Sequence, residues 1–206
     1  MNEKLNLNWD KVEGLIPVII QDQQTLQVLM LGYMNQEALN QTINTKKVTF
    51  FSRTKQRLWV KGETSNNFLE LIDIQHDCDN DCLLIQVKPL GPTCHLDTTS
   101  CFGTTDAPGL GILGKLDRVI AERYQTRPEK SYTTKLFNEG IYRIAQKVGE
   151  EGVEVALAGV SGNKENIKNE ATDLIFHLLV LLRQTGVSLD DILLEARKRF
   201  HEIKEG

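Results

Sequence analysis

The spacing of apolar residues changes period partway along the chain, and that change bounds the fold. Upstream of Phe102 the apolar runs are short and separated by polar turns. Residues 15–20 and 26–30 flank the polar turn 21–25, the pattern of a hairpin. Asn35 is placed to cap a short helix over 36–44, with Ala38, Leu39 and Ile43 on its apolar side. Residues 48–51 and 57–60 read as strands around a basic turn, and 68–74 and 83–87 add two more. Ala107-Pro108-Gly109-Leu110-Gly111 reads as a linker. Beyond it Leu113, Leu116, Ile120 and Tyr124 recur at helical spacing. Three more helices are expected over about 134–159, 164–184 and 188–203, the last opened by a capping box at Ser188. These patterns predict a β-rich (α+β) metal-binding domain over 1–110 and an all-α domain over 111–206.

Composition narrows the function classes. The chain has 206 residues, 40 % of them apolar, enough for one large core or two small ones. Its formal net charge of −4 does not suit a chain that coats nucleic acid or an anionic membrane. Residues 1–10 carry no apolar signal core, and the run 174–182, interrupted by His177, is too short to span a bilayer. A cytoplasmic protein is expected.

Chemistry concentrates in Asp77-Cys78-Asp79-Asn80-Asp81-Cys82. In an extended segment Asp77, Asp79 and Asp81 would share one face, and Cys78 and Cys82 the other. Three carboxylates on one face repel unless a cation joins them. Oxygen ligands suit magnesium, whereas thiolates suit zinc. An acidic turn with a small buried thiol is the plainer alternative. Cys94 and Cys101 complete a set of four cysteines within 24 residues, a density that points to metal or chemistry in a reducing compartment. Three thiolates leave zinc an open position for water, but Cys82 could close the site. His95 adjoins Cys94 and is a candidate general base, or a residue that orients a loop. The motifs of zinc nucleobase deaminases, H-x-E and P-C-x-x-C, are absent.

Upstream, Arg53, Arg57 and Lys61 bring positive charge, and Gly62, Glu63, Thr64 and Ser65 bring backbone and side-chain polar groups. This suits a phosphate, although a solvated basic hairpin has the same composition. Trp59 could stack on a base or fill the core. Arg57-Leu58-Trp59-Val60-Lys61-Gly62-Glu63-Thr64-Ser65, Asp77-Cys78-Asp79-Asn80-Asp81 and Gly91-Pro92-Thr93-Cys94-His95 with Ser100-Cys101-Phe102 resemble the phosphoribosyl-AMP cyclohydrolase family over residues 10–103. The resemblance implies zinc on Cys78, Cys94 and Cys101, and magnesium on Asp77, Asp79 and Asp81. It also implies a homodimer with each active site built at the subunit interface. Zinc-activated water would open the adenine ring of phosphoribosyl-AMP at N1–C6, with His95 managing protons. That family usually has Gly after Thr-Ser. Here Asn66 follows Ser65, and Asn tolerates left-handed backbone better than most residues.

In the second half, Arg143, Lys147, Glu150, Glu151 and Glu154 fall on one helical stripe, as do Glu170, Asp173 and His177 on the next helix. Charged stripes usually face solvent. Two facing helices would nevertheless gather five carboxylates, for which magnesium is the natural partner. Arg143 and Lys147 are placed to hold a polyphosphate, and His177 reads as a packing residue. Ser131-Tyr132-Thr133 and Lys147-Val148-Gly149-Glu150-Glu151-Gly152-Val153-Glu154 resemble the phosphoribosyl-ATP pyrophosphohydrolases over residues 112–203, within the wider all-α nucleoside triphosphate pyrophosphohydrolases. The two resemblances together imply a bifunctional enzyme of histidine biosynthesis acting on small phosphoribosyl nucleotides. Two other classes stay open from residues alone. One is a zinc-stabilised binding module fused to a helical dimerisation domain. The other is a general nucleotide-pool pyrophosphatase whose first half only binds.

Overall fold

The computed structural model describes residues 5–103 and 107–205, with the side chains of 201–205 left aside. Met1–Lys4, part of the expected polar N-terminus, lie outside the described residues. The chain divides into two compact units, Met1–Ile112 and Leu113–Gly206.

The first unit is built on β1 (Ile16–Asp22), β2 (Val28–Met34), α1 (Gln36–Thr45), β3 (Thr49–Ser52), β4 (Arg57–Val60), β5 (Leu69–His76) and β6 (Leu83–Pro89). Four strands form a sheet in the order β2-β1-β6-β5, and β3 and β4 pair separately. β1 runs antiparallel to β2 and parallel to β6, while β5 and β6 form an antiparallel pair. The alternating burial of β1 puts Ile16, Val18 and Ile20 into the core, where Leu83, Ile85 and Val87 of β6 join them. Full burial of such a side chain contributes about 1.5–3 kcal/mol. Asn35 caps α1 as expected, its side chain accepting from the Ala38 N–H at 2.8 Å.

The second unit contains α2 (Gly111–Thr126), α3 (Tyr132–Glu139), α4 (Ile141–Ser161), α5 (Lys164–Thr185) and α6 (Leu189–Glu205), its α2 starting two residues inside the first unit. Ile120, Leu136, Phe137, Ile144, Leu179 and Val180 form its core. The single helix expected over 134–159 is two helices. Gly140 lies between them at φ 88°, ψ −178°, a conformation essentially confined to glycine. Its N–H donates to Leu136 O and its carbonyl accepts from Ile144 N–H, so it closes one helix and opens the next. Ser188 caps α6: its Oγ accepts from Asp191 N–H at 3.1 Å and its N–H donates to Asp191 Oδ2 at 2.9 Å. No helix among the described residues is long and apolar enough to cross a membrane.

Candidate active sites

The Asp77–Cys82 segment is a turn between β5 and β6, not an extended strand. Asn80 takes a left-handed φ of 62°, which reverses the chain. Asp77 Oδ1 accepts from the N–H groups of Asp81 (3.0 Å) and Cys82 (3.1 Å). Loss of water pushes the Asp77 carboxyl up, but these N–H donors outweigh that effect and hold it below the usual range. The turn itself, rather than strand alternation, brings ligand oxygens of Asp77, Asp79 and Asp81 within 4.8 Å of one another. The ammonium of Lys11 contacts both Asp79 and Asp81, and hydrogen bonds to them raise its pKa. A side-chain cation thus already sits against this carboxylate group, as a hard cation would. Nothing in the local spacing points to Lys11, which is 68 residues from Asp79.

The thiols divide between the two ends of the sheet. Cys78 and Cys82 precede β6; Cys94 and Cys101 follow it. β6 has seven residues, about 23 Å of extended chain. The Cys101 N–H donates to Leu29 O at 2.8 Å, and Ser100 Oγ donates to Val28 O at 2.8 Å. Those partners lie at the start of β2, which pairs with the end of β1, which in turn lies beside the end of β6. Cys101 is therefore anchored at the edge of the sheet opposite the Asp77–Cys82 turn. Among the described residues, Cys78, Cys94 and Cys101 form no group with ligand atoms within 4.8 Å. Cys82 is no closer to closing a four-thiol site. It lies just before β6, half-buried, and burial together with Asp77 and Asp81 pushes its thiol up.

Cys94 and Cys101 do meet. Hydrogen bonds from Leu96 N–H and Thr98 pull the Cys94 thiol down, while crowding around its sulfur and the proximity of Cys94 push Cys101 up. Cys94 Sγ lies 3.8 Å from His95 Nδ1. Lys61 is buried at 7 % exposure beside the two thiols; burial lowers its pKa, and the charges of Cys101 and Cys94 oppose that. The adjacent thiol pair is a soft donor set of the kind that suits zinc.

The basic hairpin is only partly free. Arg57 pairs with Glu63 at 2.5 Å, and Glu63 Oε2 also accepts from Val60 N–H at 3.3 Å. That pairing holds the Glu63 carboxyl down. Trp59 packs on Phe50 with ring centroids 5.6 Å apart, and Arg53 lies over the Tyr33 ring at 3.8 Å. Gly62 has φ 94°, and a Cβ there would meet the backbone of Asn67 and Phe68 at 2.7 Å. It forces the tight loop that presents exposed Thr64 and Ser65. Asn66, with φ 61°, adopts the left-handed backbone that a glycine would.

In the helical unit Glu151, Glu154 and Glu170 bring ligand oxygens within 4.8 Å of one another. This is three of the five expected carboxylates. Glu150 turns back to Lys147 Nζ (2.9 Å) and Arg143 Nη1 (3.8 Å), and Lys147 holds it below the usual range. Asp173 is exposed and outside the group. Lys147 also reaches Glu151 Oε1 at 2.7 Å, and both carboxylates raise its pKa. Burial and then the charges of Glu151 and Glu170 push Glu154 up, as crowded carboxylates do to one another. The group fits a divalent cation. His177 is 4 % exposed and lies with Nδ1 3.7 Å from Glu151 Oε1, so it packs against this group.

Each unit coincides with a separate family. Residues 30–103 match the phosphoribosyl-AMP cyclohydrolase model, and residues 113–200 match the phosphoribosyl-ATP pyrophosphohydrolase model. A protein of Photobacterium profundum named histidine biosynthesis bifunctional protein HisIE is 55 % identical over 95 % of this chain and 97 % of its own length. The chain belongs to the bifunctional HisIE family of histidine biosynthesis. Relatives of the same name in Xanthomonas axonopodis (59 % identical, 93 % of this chain and 92 % of that one) and Escherichia coli (54 %, 96 % and 97 %) are alike along nearly their whole length. The chain is thus an enzyme with a cyclohydrolase domain followed by a pyrophosphohydrolase domain.

Proposed function

We propose that the helical domain cleaves phosphoribosyl-ATP to phosphoribosyl-AMP and pyrophosphate, and that the first domain then hydrolyses the N1–C6 bond of phosphoribosyl-AMP. The domains divide at about residue 110. The observation that carries the first half of this reading is the Glu151, Glu154 and Glu170 group, with Lys147 on Glu151 and Arg143 on the neighbouring Glu150. A magnesium ion held there would supply charge neutralisation at the polyphosphate. Arg143 and Lys147 orient the anionic chain by charge-assisted hydrogen bonds. Glu150, outside the group, holds Lys147 and Arg143 in place, and Asp173 is exposed to water or substrate.

For ring opening, zinc held by thiolates would supply a Lewis acid that makes water nucleophilic near neutral pH. Quaternisation at N1 of the substrate makes C6 electrophilic. His95, in reach of Cys94, moves protons between the incoming water and the departing N1. Arg53, Lys61, Thr64 and Ser65 bind the phosphates, and Arg57 with Glu63 holds their loop in shape. Trp59 supports the same hairpin from the core side. The Asp77, Asp79 and Asp81 group would hold magnesium, which would supply there the positive charge that Lys11 now brings.

The separation of Cys78 from Cys94 and Cys101 supports a homodimer. A second copy would offer its Cys78 and its aspartates to the Cys94–Cys101 pair of the first. The helical domain also exposes an apolar stripe on α4, Val153 (60 %), Leu157 (63 %) and Val160 (90 %), suited to a second copy. Two assays test the reading. Phosphoribosyl-ATP should be hydrolysed far faster than ordinary triphosphates; equal rates would make this a nucleotide-pool pyrophosphatase. Mixing inactive Cys78→Ala and Cys101→Ala chains should restore part of the ring-opening activity, because one kind of mixed site is intact. No recovery after subunit exchange would place the whole zinc site in one chain.

A further inference from the structure

The imidazole of His177 is buried against the acidic group and has two further partners that fix its chemistry. His177 lies on α5, one turn after Asp173 and two after Glu170, so helical period sets it beneath the acidic stripe. Its Nδ1 is 2.8 Å from the Asp173 carbonyl oxygen. A carbonyl only accepts, so Nδ1 carries a hydrogen. In the neutral ring Nε2 is then bare, and the Tyr132 hydroxyl, 3.2 Å away, donates to it. The ring is boxed in by Phe176, at 5.1 Å and 74°, and by the Tyr132 ring, at 6.1 Å and 86°.

Tyr132 is itself placed by its neighbours. Ser131 caps α3, with its Oγ accepting from Thr134 N–H at 3.3 Å, which makes Tyr132 the first residue of the helix. One edge of the imidazole abuts Glu151 Oε1 at 3.7 Å, beyond hydrogen-bond reach, while Lys147 Nζ holds the same oxygen at 2.7 Å. The Nδ1 hydrogen is committed to Asp173 O. It therefore does not take up a lone pair of Glu151 that a cation would use.

We propose that Tyr132 and His177 are a positioning pair: the imidazole, locked by Asp173 O and the Tyr132 hydroxyl, is the wall against which the Glu151 carboxylate packs, and so limits where that carboxylate can sit for the divalent cation of the pyrophosphohydrolase site. The inference rests on the reading of Glu151, Glu154 and Glu170 as that cation's ligands. Three helices meet in the pair: α3 supplies the hydroxyl, α5 the imidazole, and α4 the carboxylate. Partners that orient a metal ligand without touching the metal typically matter by about 10–100-fold in metal affinity or activity.

The test uses the full chain. Nitrogen NMR of the unaltered protein should show a hydrogen on His177 Nδ1; a bare Nδ1, with the hydrogen on Nε2, overturns the proposal. Tyr132→Phe should raise the magnesium concentration for half-maximal pyrophosphate release by about 10-fold. The KM for phosphoribosyl-ATP at saturating magnesium should hardly change. His177→Ala should do the same, and the double variant should be no worse than His177→Ala, because Tyr132 acts through His177. Additive effects, or a falling KM–kcat pair with an unmoved magnesium midpoint, overturn it. Glu151→Gln separates the two levels. If it shifts the magnesium midpoint and Tyr132→Phe does not, the positioning pair is refuted and the metal site stands. If Glu151→Gln leaves the midpoint unmoved, the metal site falls, and the positioning pair with it.

Discussion

The two domains gather their ligands by opposite means. In the helical domain, spacing along the chain becomes geometry directly: Glu151 and Glu154 are one turn apart, and Glu170 comes from the adjoining helix. All three carboxylates of the group come from one chain. In the β-rich domain the candidate ligands sit on turns at opposite ends of β6, and among the described residues Cys78 does not join the Cys94–Cys101 pair. A helix carries its site on its own surface. A sheet carries it at strand ends, and under the proposed homodimer a second set of strand ends would finish it. On that reading the first arrangement ties function to the stability of one bundle, and the second ties it to assembly.

The sharpest way to break this comparison is to remove one ligand from each side. Cys101→Ala should abolish ring opening of supplied phosphoribosyl-AMP while pyrophosphate release continues. Loss of both activities would show that the domains are not independent. Glu154→Gln should lower pyrophosphate release by about 100-fold or more, with ring opening intact. Continued pyrophosphate release would remove Glu154 from the site.

Magnesium and pH sharpen the contrast further. The Glu154 carboxyl is raised by burial and by the charges of Glu151 and Glu170. Its charged form is therefore disfavoured in the folded state, and repulsion destabilises the helical domain above that raised pKa. Acidification through it protonates Glu154 and relieves the repulsion; magnesium relieves it at neutral pH instead. Magnesium at about 100 times its Kd adds about 2.7 kcal/mol of stability by mass action. Calorimetry should show the magnesium-induced rise in Tm largest near neutral pH and shrinking as Glu154 protonates. A rise that grows on acidification would contradict the assignment. The smallest effect expected is local. Gly140→Ala forces a side chain into a glycine conformation with open space around it, so strain alone should cost about 1–3 kcal/mol in chemical denaturation.

The same contrast explains what could be read from the chain beforehand. Helix stripes at 143–154 and 170–177 were legible because 3.6-residue period fixes which side chains are neighbours. The exception was Gly140: a glycine inside an apolar period gives no sign that its backbone will turn. Asn35 and Ser188 were legible as caps because they act within three residues of themselves. Asn66 was legible as a departure from the family's usual Gly, and its left-handed backbone is one that Asn tolerates. The β-rich side was legible as motifs but not as geometry. Asp77, Asp79 and Asp81 converge through a turn set by Asn80, and Lys11 and Lys61 arrive from distant sequence through the sheet. Tyr132 and His177 were visible as residues, yet their contact needs the α3–α5 packing that no local pattern encodes.

The central claim is that two metal-dependent sites in one chain act in succession. Its most direct test supplies phosphoribosyl-ATP with magnesium and zinc, and follows pyrophosphate and ring-opened product together. Both should appear, pyrophosphate first, and removal of zinc should stop ring opening alone. Pyrophosphate without ring-opened product at full zinc loading would contradict the account, and would direct attention to Asn66 and Cys82 in the first domain.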